Sequence, residues 1–306
     1  MAMISRRLFL RSAVGMTTAS TSLAGYAFGV EPVWRLGVTR YALTPPGWPQ
    51  WLSLKVAVIA DIHACRPQMS PEHIRDIVTI TNALAADIIV VLGDFNGGHR
   101  FVTGPVLPEE WGAELAALRA PLGVYAILGN HDFWHGPLPN MRGDDTLSIR
   151  AALKAANIRL LENDALRIVT PRGPFWLAGL GDQMVHHSAR RIFTGIDDLP
   201  GTLKQVTDAA PVLMLAHEPY IFPKMPERVS LTLCGHTHGG QVFIPGIGTP
   251  AIRQAQNYVY GHVVESGRHM IISGGLGTSI LPVRFLRPPE VVEVVLGSSD
   301  PQPRAS

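Results

Sequence analysis

Five short apolar runs, each followed by residues of types that bind metal ions, constrain the fold of this chain more than any other feature. The runs cover residues 55–60, 87–92, 123–128, 211–216 and 229–234. Their length and their content of β-branched residues are typical of buried strands. In α/β folds ligands collect beyond the carboxyl ends of strands, so we expect the residues after these runs to meet at one rim.

Carboxylate, imidazole and carboxamide side chains follow the five runs. In chain order they are Asp61, His63, Asp94, Asn130, His217, His236 and His238. Each of these residues taken alone has a structural explanation, such as a strand-end cap or a buried histidine with a hydrogen-bond partner. The ordered set favours a metal site, and its mixture of hard oxygen and imidazole nitrogen suits Mn, Fe or Zn.

The motifs formed by these residues are D-x-H at 61–63, G-D at 93–94, G-N-H-D at 129–132, H at 217 and G-H-x-H at 235–238. Their order resembles that of the calcineurin-like metallophosphoesterases over roughly residues 54–297, and segments 235–242 and 273–284 look like the exported bacterial branch of that family. The resemblance implies a mixed α/β fold, a four-layer αββα sandwich in which two mixed sheets pack together. It also implies a dinuclear metal site at the strand ends.

The resemblance further implies how the residues share two divalent ions, for which we expect Mn, with Fe or Zn as alternatives. Asp94 would bridge the two ions. The remaining ligands would divide into a first set of Asp61, His63 and His238 and a second set of Asn130, His217 and His236. A bridging carboxylate allows two cations to lie roughly 3.5–4 Å apart, the spacing of two-metal hydrolases.

His131 and Asp132 are the candidate catalytic residues, because they follow Asn130 directly in the same motif. We expect His131 to act at the leaving-group oxygen and Asp132 to fix its tautomer through the other ring nitrogen. Arg66, His99 and His135 lie just after motifs or in Gly- and Pro-rich loops, and are weaker candidates for substrate contacts.

The bulk composition limits the classes of partner and the number of domains. The formal net charge is only +2, so nothing indicates a nucleic-acid partner. The metal motifs extend from 61 to 238 and must converge, which predicts one domain. Cys65 and Cys234 each lie beside a motif, and we expect two buried thiols rather than a disulfide.

The N-terminus contains Ser5-Arg6-Arg7-Leu8-Phe9-Leu10 ahead of a weakly apolar stretch. This pattern predicts a twin-arginine export signal over residues 1–30, a catalytic domain over 31–298 and a loose tail over 299–306. The protein would then use the twin-arginine machinery and be periplasmic or associated with the outer face of the inner membrane. Cleavage near 27–29, retention as an anchor, and a disordered tail with a chance arginine pair are alternatives.

Local signals place helices in the first half of the chain and strands in the second. Ser70 is a candidate N-cap with Pro71 at the first helical position, Trp111 lies on a second amphipathic helix, and a third runs from a cap at Asp145 to a left-handed stop at Asn157. Candidate strands of the second half are 166–169, 175–180, 212–216, 231–234, 269–273 and 291–296.

The motifs and the resemblance together predict a metal-dependent hydrolase of phosphoric esters. We expect a phosphodiesterase or pyrophosphatase that acts on a cell-envelope substrate, either a small molecule or a lipid-linked compound. One alternative is an enzyme like the UDP-2,3-diacylglucosamine pyrophosphatases. Another is a non-catalytic metal-binding scaffold on the same fold, against which the Asn130-His131-Asp132 trio counts, because a scaffold needs no general acid.

Overall fold

A computed structural model describes residues 17, 18, 20–97, 101–134, 146–187, 193–250 and 258–297 of the chain. In chain order the strands are β1 (Gly37–Leu43), β2 (Leu54–Ile59), β3 (Cys65–Arg66), β4 (Ile88–Val91), β5 (Gly104–Pro105), β6 (Val124–Ala126), β7 (Arg159–Leu160), β8 (Asp164–Thr170), β9 (Gly173–Gly179), β10 (His186–His187), β11 (Phe193–Thr194), β12 (Val212–Leu215), β13 (Leu231–Cys234), β14 (Gly261–Glu265), β15 (Arg268–Ile272) and β16 (Glu290–Leu296). The α-helices are Glu31–Trp34, Pro71–Ala83, Pro108–Leu115, Asn130–Trp134, Thr146–Ala155 and Leu199–Lys204, with a π-helical turn at Tyr26–Val30 and short 3₁₀ helices at Pro219–Lys224 and His238–Gly240.

Twelve of the strands form two six-stranded sheets. The first has the order β1-β16-β2-β4-β6-β7, and the second has the order β14-β15-β13-β12-β9-β8. β2, β4, β6 and β7 are parallel in the first sheet, and β9, β12, β13 and β15 are parallel in the second. Antiparallel neighbours, such as β16 beside β2 and β14 beside β15, make both sheets mixed.

Alternate residues of the central strands face two different cores, which explains why their sequences read as continuous apolar runs. In β2, Val56 and Val58 belong to a cluster that also contains residues of the second sheet, whereas Ala57 and Ile59 belong to a cluster with the helices Pro71–Ala83 and Pro108–Leu115. A third cluster packs the outer face of the second sheet against Leu199–Lys204 and Pro219–Lys224. The predicted four-layer αββα sandwich is confirmed.

Most local predictions agree with the structure. The hydroxyl of Ser70 accepts a hydrogen bond from the backbone N–H of His73, and Asn157 has φ +56°, as expected for a left-handed helix stop. All six candidate strands of the second half are present, whereas Asp145 lies outside the described residues. The edge strands β1 and β14 were not predicted, because polar residues interrupt their apolar pattern.

The segment on either side of residue 30 packs against the body of the protein. The carbonyl oxygen of Ala27 accepts a hydrogen bond of 2.9 Å from the backbone N–H of Arg284, and the carboxylate of Glu31 accepts one of 2.7 Å from the N–H of Arg287. Within the described ranges, no helix is both long enough and apolar enough to cross a bilayer. The export signal and the boundary at 30 stay predictions.

Candidate metal centre

The loops that follow β2, β4 and β6 of the first sheet meet those that follow β12 and β13 of the second sheet. All seven predicted metal ligands lie at this junction, and six of them are buried, with His236 half-buried. The junction forms because parallel strands of both sheets present their carboxyl ends to the same edge of the sandwich. The convergence expected from the five apolar runs is confirmed.

Two groups of potential ligand atoms share one carboxylate. Asp61, His63, Asp94 and His238 form the first group, and Asp94, His217 and His236 form the second, with the ligand atoms of each group lying within 4.8 Å of one another. Oδ2 of Asp94 lies 3.4 Å from Nε2 of His63 and 3.2 Å from Nε2 of His217. Asp94 thus occupies the position expected of a bridging residue.

Asn130 completes the second group. Its Oδ1 lies 2.9 Å from Nδ1 of His236, which places a neutral oxygen donor beside the imidazole nitrogen. The backbone N–H of His236 also donates a hydrogen bond of 2.8 Å to Oδ1 of Asp61. The two groups are therefore linked by this backbone hydrogen bond as well as by the shared carboxylate of Asp94.

The orientation of three imidazole rings shows that this donor set fits a cation. Nδ1 of His63, His217 and His238 each faces a backbone carbonyl oxygen, those of Asn96 (3.0 Å), Leu92 (2.6 Å) and Gly277 (3.2 Å) respectively. Because a carbonyl can only accept, Nδ1 carries the proton of the neutral ring and Nε2 carries the lone pair. Nε2 of His63 lies 3.0 Å from Nε2 of His238, and two facing lone pairs repel unless a cation lies against both.

The backbone at this junction is strained. Five of the seven candidate ligands have φ in the left-handed region: Asp61 (53°), His63 (47°), Asp94 (57°), His236 (71°) and His238 (53°). Residues other than glycine rarely adopt this conformation, and such residues cluster at functional sites where the surrounding fold holds them in place. The chain uses these turns to direct successive side chains toward one centre.

The two buried carboxylates differ in charge behaviour. Burial alone would raise the pKa of Asp94, but the facing His217 and His131 rings, when they carry an extra proton, hold it well below its usual value. Burial raises the pKa of Asp61 to about 6, and the charge of His217 only partly opposes this effect. A carboxyl group in the position of Asp61 gains its charge most easily when a cation is bound nearby.

Asp132 corrects one prediction. Its Oδ2 accepts hydrogen bonds of 2.9 Å from the backbone N–H groups of Asp94 and Gly129, and its Oδ1 accepts from those of Phe95 (2.8 Å) and Asn96 (3.4 Å). These bonds take the place of the predicted bond to the His131 ring. Consecutive helical residues point about 100° apart, so Asp132 turns inward as His131 turns toward the site. Asp132 therefore holds the backbone of Gly129 and of residues 94–96 in place. Burial and the charge of Asp94 raise the pKa of Asp132 to about 7.

His131 lies at the open side of the site. Its backbone N–H donates a hydrogen bond of 2.8 Å to Oδ1 of Asp94, and its ring packs edge-on against His63 with 4.8 Å between centroids. Nε2 lies 3.4 Å from Oγ of Ser279, and the residue is half-buried. This geometry leaves the ring beside the candidate metal ligands without making it one of them.

The weaker candidates for substrate contacts do not gain support. Nη2 of Arg66 lies 2.6 Å from Oε1 of Glu110, and its Nη1 donates to the carbonyl oxygen of Pro105. We therefore assign Arg66 to a structural ion pair instead of the phosphate contact that its position suggested. His99 and His135 lie outside the described residues.

Two buried carboxylates beside His217 escaped sequence reasoning. Asp182 and Glu218 form a third group with His217, with potential ligand atoms within 4.8 Å of one another, and both residues are almost wholly buried. Burial and the nearby Asp182 raise the pKa of Glu218 well above its usual range. The signal was present, because the apolar run 175–180 ends in Gly181-Asp182 just as the other runs end in their ligands.

Arg284 is another residue of the site that the sequence pattern did not identify. Its guanidinium is fully buried and donates from Nη2 to the carbonyl oxygens of Gly274 (2.9 Å) and Gly277 (2.6 Å). The same Gly277 oxygen contacts Nδ1 of His238, so Arg284 helps to hold the acceptor that orients this ring. No local pattern distinguishes a buried arginine from an exposed one, and only the fold reveals its place.

Comparison with known proteins agrees with this geometry. A family model described as calcineurin-like phosphoesterase matches residues 54–240. A phosphodiesterase of Escherichia coli (strain K12), YaeI, is 31% identical over 96% of this chain and 100% of its own. An uncharacterized metallophosphoesterase of Aquifex aeolicus (strain VF5) is 30% identical over 85% of this chain and 92% of its own. The uncharacterized metallophosphoesterase YkuE of Bacillus subtilis (strain 168) is 29% identical over 97% of this chain and 99% of its own.

The fold and the shared-carboxylate site define a metal-dependent phosphoesterase. The chain belongs to the calcineurin-like phosphoesterase family. It is a hydrolase of phosphoric esters, and its buried histidine and aspartate clusters indicate a dinuclear site for divalent metal ions.

Proposed function

We propose that this protein is a phosphodiesterase or pyrophosphatase with two divalent metal ions, acting on a cell-envelope substrate. The observation that carries the proposal is the position of Asp94, whose carboxylate lies between two groups of buried ligands. Asp61, His63 and His238 would hold the first ion, and Asn130, His217 and His236 the second. When bound, the ions supply Lewis-acid stabilisation of the charge that develops on the phosphoryl oxygens.

The ligand set is compatible with Mn, Fe and Zn, and we propose Mn as the working metal. Only two of the seven ligands are carboxylates, and Asn130 contributes a neutral oxygen. Two divalent ions would therefore leave the centre positively charged. A positive centre attracts the anionic phosphoryl group of a substrate.

His131 is the residue that we assign to the leaving group. The ring of His131 packs edge-on against the ring of the proposed ligand His63, and the backbone N–H of His131 donates a hydrogen bond to Asp94. A histidine held beside the reacting centre can donate a proton, or a hydrogen bond, to the oxygen that departs. This assignment favours an enzyme over the alternative of a non-catalytic metal-binding scaffold, and turnover of bis-p-nitrophenyl phosphate with added Mn²⁺ separates the two.

Replacing His131 by Ala should leave both metal ions in place and lower the rate by about 10²–10⁴-fold, the usual contribution of a general acid. The loss should be smallest for good leaving groups, which need little protonation. Rates on diesters with leaving groups of graded pKa, together with the metal content, provide the measurement. His262→Ala, at an exposed position on β14, is the matched control and should behave as wild type. An equal loss on every substrate would reassign His131 to charge stabilisation.

A small-molecule or lipid-linked phosphodiester is the substrate class we favour. The relative named phosphodiesterase covers nearly the whole chain, which supports cleavage of diesters. A UDP-2,3-diacylglucosamine pyrophosphatase-like activity is the alternative, and it requires a cytoplasmic nucleotide substrate that an exported enzyme would not meet. A panel of lipid and nucleotide diesters tested on the Mn²⁺-loaded protein distinguishes these classes.

Export by the twin-arginine machinery, with a periplasmic or membrane-associated location, is supported by the motif around Arg6-Arg7. Replacing both arginines by Lys preserves the charge and should trap the protein in the cytoplasm. Cell fractionation followed by immunodetection measures this. Lys154→Arg, a charge-preserving change in the helix Thr146–Ala155, serves as the control. Appearance of the double variant outside the cytoplasm at the wild-type level would show that the arginine pair is not an export signal.

A further inference from the structure

A line of aromatic rings connects the metal centre with the protein surface through His131. The ring centroids of His131 and Trp134 lie 5.5 Å apart, and those of Trp134 and Phe193 lie 5.9 Å apart with the planes inclined by only 23°. The indole N–H of Trp134 donates to the backbone carbonyl oxygens of Met184 and Val185, which fixes the ring. Phe193 is 41% exposed, so an apolar surface begins directly beside His131 and reaches solvent.

A second apolar segment also begins at His131. Ser279, whose Oγ lies 3.4 Å from Nε2 of His131, is followed by Ile280 and Leu281, which are 77% and 43% exposed. Gln241 holds this turn, because its Oε1 accepts a hydrogen bond of 2.6 Å from the N–H of Ser279 and its Nε2 donates to the carbonyl oxygen of Leu281. The exposed side chains are therefore presented by an anchored turn.

Ile280 is an unexpected residue for its position. Its φ is +67°, a conformation that β-branched residues rarely adopt and that Asn or Gly tolerates. With 77% of its surface exposed, the side chain contributes little to the core. Neither backbone preference nor packing accounts for an isoleucine here, and contact with a ligand would.

We propose that Trp134, Phe193, Ile280 and Leu281 form a subsite that binds an apolar leaving group, specifically the aliphatic part of the alcohol released from the phosphoester. The inference rests on the proposed function, in which His131 acts at the leaving oxygen. A group that donates to this oxygen must lie next to it, so the substituent attached to the oxygen meets the side chains around His131. Among the described residues, apart from Ser279 and the candidate metal ligands, the side chains that extend outward from His131 are apolar, and they favour an alkyl chain over a polar or charged alcohol.

Three methyl phosphate diesters test the proposal, with phenyl, para-butylphenyl and para-(2-hydroxyethyl)phenyl as leaving groups. The three phenols have similar acidity, so differences in kcat/KM report contacts and not leaving-group chemistry. On the Mn²⁺-loaded protein we expect the butyl compound to exceed the phenyl compound by about tenfold, the value for partial burial of a four-carbon chain, and the hydroxyethyl compound to match the phenyl compound.

Ile280→Asn and Phe193→Ser should each reduce the ratio of kcat/KM for the butyl and phenyl compounds toward one. Ile280→Asn should also melt at or above the wild-type temperature, because Asn tolerates the left-handed conformation. Loss of the ratio without loss of stability is a result that a purely structural role would not produce. Leu147→Asn is the matched control, since Leu147 is 78% exposed on the helix Thr146–Ala155, and it should leave both the ratio and the rate unchanged.

The failure of this inference can be told apart from the failure of the proposed function. If the phenyl compound is hydrolysed in a His131-dependent manner but the butyl group brings no advantage, or its advantage survives in both variants, the subsite is refuted and the function stands. A preference for the hydroxyethyl compound would likewise overturn the apolar assignment. If no diester is hydrolysed, the phosphodiesterase function fails and the inference falls with it. If hydrolysis does not depend on His131, the function stands, but the assignment of His131 to the leaving group fails and the inference falls with that assignment.

Discussion

Replacing Asp94 by Asn is expected to lower the occupancy of both metal sites and nearly to abolish turnover, with a loss of at least about 10³-fold. The change keeps the shape of the side chain but removes the one charge shared by both ligand groups. Oδ2 of Asp94 lies within 3.4 Å of Nε2 of both His63 and His217. An amide nitrogen at this position would donate toward the lone pairs that the metal ions need, so the variant both removes a ligand and blocks two others.

Metal analysis of purified, metal-loaded protein measures this effect alongside the rate. His217→Ala should differ from Asp94→Asn, because it removes a ligand of the second group only and should leave the first site partly filled. Asp76→Asn, an exposed carboxylate on the helix Pro71–Ala83, is the matched control and should bind two equivalents. Two bound equivalents and near-normal turnover in Asp94→Asn would disprove the shared-carboxylate centre.

Replacing Asp132 by Asn should cause the largest loss of stability, about 3 kcal/mol, together with a severe loss of activity. Both oxygens of this buried carboxylate accept backbone N–H groups, two on each side, from Asp94, Gly129, Phe95 and Asn96. Whichever way the amide is turned, its NH₂ group faces N–H donors, and at least one buried donor loses its acceptor. The turns that carry Asp94 and Asn130 should then shift.

Denaturant unfolding of metal-free and Mn²⁺-loaded protein measures the free energy of unfolding for this variant. Asp198→Asn is the comparison, because Asp198 is exposed and caps the helix Leu199–Lys204 through a bond of 2.9 Å to the N–H of Gly201. Its loss should be about 1 kcal/mol or less, the range for a helix cap. If Asp132→Asn were as stable as Asp198→Asn and kept its activity, the four amide bonds would not be what positions the site.

The local sequence pattern predicts the position of Asp94 in the fold but not the hydrogen-bond partners of Asp132. Asp94 follows a continuous apolar strand. Because the carboxyl ends of buried parallel strands lie at the same edge of the sheet, the position of Asp94 at that edge could be predicted. Asp132 lies in a helical turn after Asn130, and the sequence places it next to His131 without saying which way it points. The predicted partner was the imidazole, whereas the observed partners are the backbone amide of Gly129 and three backbone amides of residues 94–96.

Asp182 and Glu218 show a different limit. Asp182 follows a strand by the same rule that identified the candidate metal ligands, yet its pairing with Glu218 depends on β9 and β12 being neighbours in the second sheet. Arg284 is a stronger example, because its buried guanidinium bonds to the carbonyl oxygens of Gly274 and Gly277, and the second of these also contacts the ring of His238. Such contacts join residues far apart in the chain and produce no periodic pattern in the sequence.

By itself the sequence determined the central strands of both sheets, the order of the motifs, the seven candidate ligands and the layered α/β architecture, because each depends on the hydrophobicity and identity of residues close together in the chain. Only the tertiary structure decided which ring nitrogens carry lone pairs and which side chains surround His131. These properties depend on distances of a few ångströms between side chains and loops that different parts of the chain supply, such as the 3.0 Å between Nε2 of His63 and Nε2 of His238. Packing of the two sheets sets those distances, and no local preference encodes them.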